Sequence, residues 1–115
     1  MFVITGRVKV ASYPEFVKRA ESGLAPILRR NAGFRGLYCV DCGGGVGLGT
    51  MVFETAEDAA ASRDESTQWV EKNLAPLYLE EPLLESGELI LSIEPDAAMA
   101  AAGAGAASGA EARPH

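Results

Sequence analysis

Four side chains share one row of a helical stretch: Ser62, Ser66, Trp69 and Asn73, at i, i+4, i+7 and i+11. Two hydroxyls, an indole and an amide in line can wall a cavity and hydrogen-bond to whatever fills it. The other reading makes Trp69 a seal between helix and sheet, its N–H bonded to backbone or water. Cys39 and Cys42 are spaced C-x-x-C, which suggests zinc or redox chemistry. Zinc needs four ligands, and the one histidine, His115, stands at the far end of the chain. A redox pair normally opens a helix, whereas this one ends a strand. Three strand steps span about 10 Å, and a disulfide needs roughly 4.4–6.8 Å. Two ordinary thiols are therefore expected unless the turn begins before Cys42. The run G-G-G-V-G-L-G at Gly43–Gly49 looks like a phosphate cradle but joins strand to strand, with no G-K-[ST] and no helix N-terminus after it. It reads as a turn. Arg7 and Lys9 share one face of the first strand. Lys9 is read as solvated; Arg7 could equally line an anion-friendly pocket.

The elements that must position these residues are regular. Phe2 to Val10 alternates, with Phe2, Ile4, Val8 and Val10 on one face. Ser12-Tyr13-Pro14-Glu15 has the signs of a helix start, and Phe16, Ala20, Leu24, Ile27 and Leu28 follow at helical spacing. Pro26 is expected to kink that helix, and Gly33 to stop it at C′. Phe34–Asp41 and Gly47–Glu54 flank Gly43-Gly44-Gly45 as a hairpin. In its first strand Phe34, Gly36, Tyr38 and Val40 should share a face, opposite Arg35, Leu37, Cys39 and Asp41. Neither set is purely polar, so both sides of the sheet should bury something. Thr55 caps a second helix whose apolar stripe runs Ala56, Ala59, Ala60, Val70, Leu74 and Leu77. Glu88–Glu94 alternates again and is the expected fourth strand. The order β-α-β-β-α-β predicts an α+β, ferredoxin-like domain with a four-stranded antiparallel sheet.

Composition narrows the partners. The chain has 115 residues, of which 48% are apolar, enough for one modest core over 1–95. A net charge of −6 with scattered basic residues argues against nucleic acid and anionic membranes. No apolar run approaches the roughly 20 residues of a membrane helix, and Met1-Phe2-Val3-Ile4 reads as strand rather than leader. A cytoplasmic protein is the expectation. From Asp96 to His115 the sequence is Ala/Gly-rich without periodicity, which reads as a disordered tail and removes His115 from catalysis. A sheet with helices on one face needs cover on the other, so a homodimer through the sheet faces is expected.

The wording N-A-G-F-R-G-L-Y at Asn31–Tyr38, G-L-G-T-M-V-F-E-T at Gly47–Thr55 and the helix bearing Trp69 resemble the antibiotic biosynthesis monooxygenase-like family. The resemblance spans residues 2–94. It implies a dimeric α/β barrel whose ligand cavity lies between the helices and the sheet of each protomer. It also implies one of several activities, foremost cofactor-independent oxidation of an aromatic phenol or quinol by O2, with no cofactor. Trp69 falls where the phenol-oxidising and haem-degrading members carry a functional tryptophan. On that resemblance Trp69 would form the cavity wall, and Asn73 and Tyr38 would orient a substrate oxygen. Arg7 or Arg35 would stabilise negative charge, and Ser66 joins them as a substrate-binding residue. Haem degradation is disfavoured, since Leu79 lies where a proximal histidine is expected. The alternatives are a non-catalytic dimeric module binding a small apolar ligand, and a structural dimer in which Trp69 fills the space.

Overall fold

In the computed structural model residues 1–95 are described; the expected tail lies outside them. The elements are β1 (Phe2–Lys9), α1 (Tyr13–Arg29), β2 (Phe34–Gly43), β3 (Val46–Phe53), α2 (Ala56–Ala61), α3 (Arg63–Asn73), a 3₁₀ turn (Ala75–Leu77) and β4 (Leu83–Glu88). The strands form one antiparallel sheet in the order β2-β3-β1-β4, with the helices on one face. This is the ferredoxin-like α+β arrangement.

Local signals placed α1. Ser12 Oγ accepts the Glu15 amide at 3.4 Å, and Tyr13, Phe16, Ala20, Leu24, Ile27 and Leu28 are its buried stripe. The helix continues through Pro26 to Arg29. It stops at Arg30, which is still right-handed, rather than at a left-handed Gly33. Glycine at 33 serves close approach instead: a Cβ there would overlap the Asp58 side chain. In the hairpin, Gly44 (φ 63°) and Gly45 (φ 81°) both take the left-handed conformation that a two-residue turn of the primed type demands.

Three further expectations are corrected, each by a long-range partner. The hairpin faces change at Arg35. A bulge between Phe34 and Gly36 puts two residues opposite one on β3, so Phe34 joins the helix-side face with Leu37 and Cys39. There Phe34 meets Phe53 edge-on at 5.7 Å. The second helix is broken at Ser62. Asn31 Nδ2 donates to the Asp58 carbonyl (2.6 Å), the acceptor a continuous helix would have used for the Ser62 amide, and also to Ser62 Oγ (3.1 Å). The Ser62 amide turns to the Ala60 carbonyl, and α3 starts afresh at Arg63. The fourth strand is Leu83–Glu88, not Glu88–Glu94. Its register on β1 runs from Arg7↔Leu83 to Phe2↔Glu88, so the strand ends where β1 runs out of residues. Leu89 N still reaches the Met1 carbonyl (2.8 Å), but Ile90 and Ile93 stand 94% and 84% exposed.

The registers also define an uncovered sheet face. Tyr38, Thr50 and Thr5 lie across it in one row, and Val40, Leu48, Arg7 and Leu83 in the next. Tyr38, Val40 and Leu83 are 60%, 54% and 62% exposed, and no described element covers them. No helix among the described residues is long and apolar enough to cross a membrane.

Candidate functional site

A cavity of about 700 Å³ lies between the helices and the sheet. Its origin is the poor seating of the second helical stretch. α1 buries six side chains, whereas α2 buries only Ala59 and α3 none. What holds α3 is α1: the Trp69 indole lies flush on Gly23, where a Cβ would overlap the ring, and Arg30 pairs with Glu65. Val70 and Ser66 therefore face the sheet across a gap instead of packing on it. The floor deepens the gap. Gly6 and Gly49 are cross-strand partners on the helix-side face, with Cys39 next in the same row, so β1 and β3 present bare backbone there. The walls are apolar, with Phe16, Ala20, Leu24, Met51, Leu37 and Val70 among them. The exposed Arg63, Thr67 and Glu71 of α3 mark the mouth.

Polar groups inside are few and neutral. Tyr13 at the hairpin end is 3% exposed and its hydroxyl donates to the Leu48 carbonyl at 3.1 Å. Its ring stacks on Phe16 at 5.7 Å, and Phe16 in turn meets Tyr78 at 6.1 Å. Burial pushes the Tyr13 phenol well above the usual tyrosine range, and Cys39 beside it pushes the same way, with smaller help from Cys42 and Asp41. Burial raises Tyr78 also. Both phenols therefore stay protonated at neutral pH and can donate hydrogen bonds, not abstract protons. Ser66 Oγ is buried with no hydrogen-bond partner among the described residues. A hydroxyl left so costs about 1–3 kcal/mol unless a ligand satisfies it.

The raised phenols carry a pH dependence of stability. Above the ordinary phenol value of about 10 the unfolded chain releases protons that the folded chain keeps, which favours unfolding. Stability should be level up to about pH 10 and fall as pH rises further. Urea unfolding between pH 8 and 11 measures this; Tyr13→Phe should flatten the decline, at a cost of about 1 kcal/mol for the lost bond to Leu48.

Of the six residues singled out in the sequence, the structure brings Ser66 to the cavity lining. Trp69 and Asn73 lie outside this lining; with Ile27 they border a separate, more open depression, and the indole rests on Gly23 of α1. Asn73 Nδ2 donates to the Trp69 carbonyl at 2.9 Å, closing the end of α3. Tyr38 and Arg7 are on the uncovered face, Arg7 paired with Glu80 at 3.2 Å. Arg35 is in the bulge, bonded to Glu54 at 2.7 Å and to the Ala32 and Phe34 carbonyls. Among the lining residues missed were Tyr13, Tyr78 and Cys39. Tyr13 was legible, three residues before Phe16 on the apolar stripe. Tyr78 was not, since its place depends on the bridge to Val10. No cluster of three or more His, Cys, Asp or Glu side chains able to hold a metal occurs among the described residues.

An antiparallel sheet with helices on one face and an apolar cavity between the layers defines a small ferredoxin-like α+β fold. Solved structures with this fold include antibiotic biosynthesis monooxygenase-like proteins. One is a monooxygenase from the ActVA-Orf6 gene of Streptomyces coelicolor, in complex with nanaomycin D. It is 17% identical, with 83% of this chain and 92% of that one covered, at a TM-score of 0.71. Another is SnoaB, a cofactor-independent oxygenase from Streptomyces nogalater: 11% identical, 82% and 97% covered, TM-score 0.68. An uncharacterised NIPSNAP-like domain protein from Burkholderia xenovorans is 23% identical, 82% and 88% covered, at 0.57. These likenesses establish the fold expected from the sequence. No protein-family model and no curated protein matches the chain.

Proposed function

We propose that this protein is a cytoplasmic, cofactor-independent monooxygenase that oxidises a small aromatic phenol or quinol with O2, acting as a homodimer paired through its open sheet faces. The observation that carries the reading is the apolar cavity of about 700 Å³ with neutral hydroxyls in and around it. The fold shared with a monooxygenase and a cofactor-independent oxygenase supports it. In such a reaction the substrate supplies the electrons. One oxygen atom of O2 enters the ring as a new carbonyl, the other leaves as water, and the phenol becomes a quinone. The chain's part is to exclude water, hold the ring between α1 and the sheet, and donate hydrogen bonds to its oxygens as charge develops. Ser66, with its free hydroxyl, is the residue we place on a substrate oxygen; Tyr78 is the second donor. Trp69 and Asn73 act at one remove, by fixing α3 against α1.

A second reading, a non-catalytic module binding the same ligands, is favoured by one observation: Arg63, Glu71 and Glu85, the charged residues of the lining, are all exposed, so the lining holds no buried carboxylate to act as a base. Oxygen uptake with hydroquinones and naphthols, measured alongside binding, separates the two. Stoichiometric uptake supports the oxidation, binding without uptake supports the module, and neither overturns both. Ser66→Ala should weaken binding about tenfold, one good hydrogen bond, while leaving stability unchanged or up to about 1 kcal/mol higher. A variant that lost stability along with binding would contradict this placement of Ser66.

For the dimer, Val40 stands at the β2 end of the outward-facing row and is 54% exposed. Sedimentation should show a dimer that Val40→Asp converts to monomer, weakening association by at least about 2 kcal/mol through a buried unpaired charge. A wild-type chain that sediments as a monomer at micromolar concentration would defeat the pairing.

A further inference from the structure

The cavity floor holds a nucleophile that the oxidation does not use. Cys39 is a free, exposed thiol on the helix-side face of β2, and it lines the cavity. Its neighbour across the sheet is Gly49, and a Cβ built there would meet nothing within 4 Å. One pleat toward the hairpin the situation reverses: a Cβ on Gly47 would overlap the Tyr13 ring. The thiol thus borders an open slot floored by backbone and closed on one side by an aromatic ring. A second observation points to an occupant of the same cavity, the buried and unpartnered Ser66 hydroxyl. Cys42 provides the contrast. It is equally free and exposed, but it belongs to the bulge beside the turn and is not part of the lining.

We propose that Cys39 is a covalent capture site for flat, apolar electrophiles that enter the cavity, namely quinones and α,β-unsaturated ketones. The thiolate sulfur bonds to the β-carbon, and the ring π pair moves to the carbonyl oxygen, which takes a proton from solvent. Loss of the ring proton at the attacked carbon, with protonation of the second carbonyl oxygen, restores aromaticity and leaves a hydroquinone thioether; an unsaturated ketone instead takes its proton at the α-carbon and ends as the ketone thioether. The quinone is reduced, the thiol carries the new C–S bond, and no other oxidant or reductant is needed. Capture is independent of the oxidation proposed above; only its physiological electrophile, the quinone product, rests on that reading. Under it, the thiol would couple product build-up to self-inactivation.

The experiment uses two single-cysteine forms of the full chain, Cys42→Ser and Cys39→Ser, followed by intact mass during reaction with 1,4-naphthoquinone and, separately, iodoacetamide. Iodoacetamide reports the intrinsic reactivity and exposure of each thiol. Normalised to it, the naphthoquinone rate at Cys39 should exceed that at Cys42 by about tenfold or more, because the slot holds the ring against the sulfur. Equal normalised rates would overturn the proposal, showing only surface alkylation. Gly49→Val, placed in the Cys42→Ser background and checked for folding by circular dichroism, should remove the naphthoquinone advantage while sparing iodoacetamide. An advantage that survives in the folded variant would also overturn it. Because preformed quinone is used, failure here leaves the oxygenase reading standing, and failure of oxygen uptake leaves the capture test intact.

Discussion

Gly45→Ala is expected to lower the unfolding free energy by about 3 kcal/mol or more, while Gly44→Ala, one residue earlier, costs about 1–2 kcal/mol. Both glycines have positive φ, 81° and 63°, so both substitutions pay for a left-handed side-chain residue. They differ in what the new methyl meets. At Gly44 there is nothing within 4 Å; at Gly45 the Cβ would overlap the Val10 carbonyl oxygen, which is backbone and cannot rotate away. The collision also threatens the bond from the Val10 amide to the Gly45 carbonyl, 2.8 Å, that pins the turn to the end of β1. Val10 is 3% exposed and bridges to Tyr78, so damage at the turn reaches the end of the cavity. Urea melts of the two variants measure the difference. Equal losses would mean that the Val10 contact contributes nothing beyond the turn conformation.

Phe53→Ala should cost about 3–5 kcal/mol, much of the 5–15 kcal/mol that holds a typical domain of this size. Phe53 is 1% exposed, pairs in register with Phe2 on β1 and Phe34 on β2, and takes the edge-on contact from Phe34. It ties the bulged start of β2 to the sheet. It also borders the existing cavity, so truncation enlarges a void that the neighbours already fail to fill. Phe53→Leu, which keeps most of the volume, should lose only about 1–2 kcal/mol. Thermal unfolding would show the contrast as a fall in Tm of more than about 10 °C for the alanine variant. A small loss for Phe53→Ala would mean that the cavity collapses around the missing ring.

Several features of the fold were legible because their causes are close in sequence. Ser12 and Thr55 cap helices through amides three residues on, with Asp58 N reaching Thr55 Oγ1 at 3.0 Å. The Gly44-Gly45 turn answers to the backbone freedom of those two residues. Alternation in β1 and the α1 stripe are periodicities of single elements. The order of elements followed from them, and with it the fold class. In the site, Ser66, singled out on its helical row with Trp69, is among the lining residues.

The remainder was decided between residues far apart. Ser62 looks like any helical serine until Asn31, 31 residues away, takes its hydroxyl and the Asp58 carbonyl. Leu89, Leu91 and Ile93 alternate as well as any strand, yet a strand exists only where a partner offers amides, and β1 begins at Phe2. Trp69 carries the same periodicity wherever its ring comes to rest; Gly23 on another helix gives the indole its seat. The cavity itself is the clearest case. It arises from two glycines meeting across the sheet and a helix held by its neighbour instead of by the floor. Sequence periodicity states which side chains share a face. How far that face stands from the next layer is set by contacts that exist only after the layers have met.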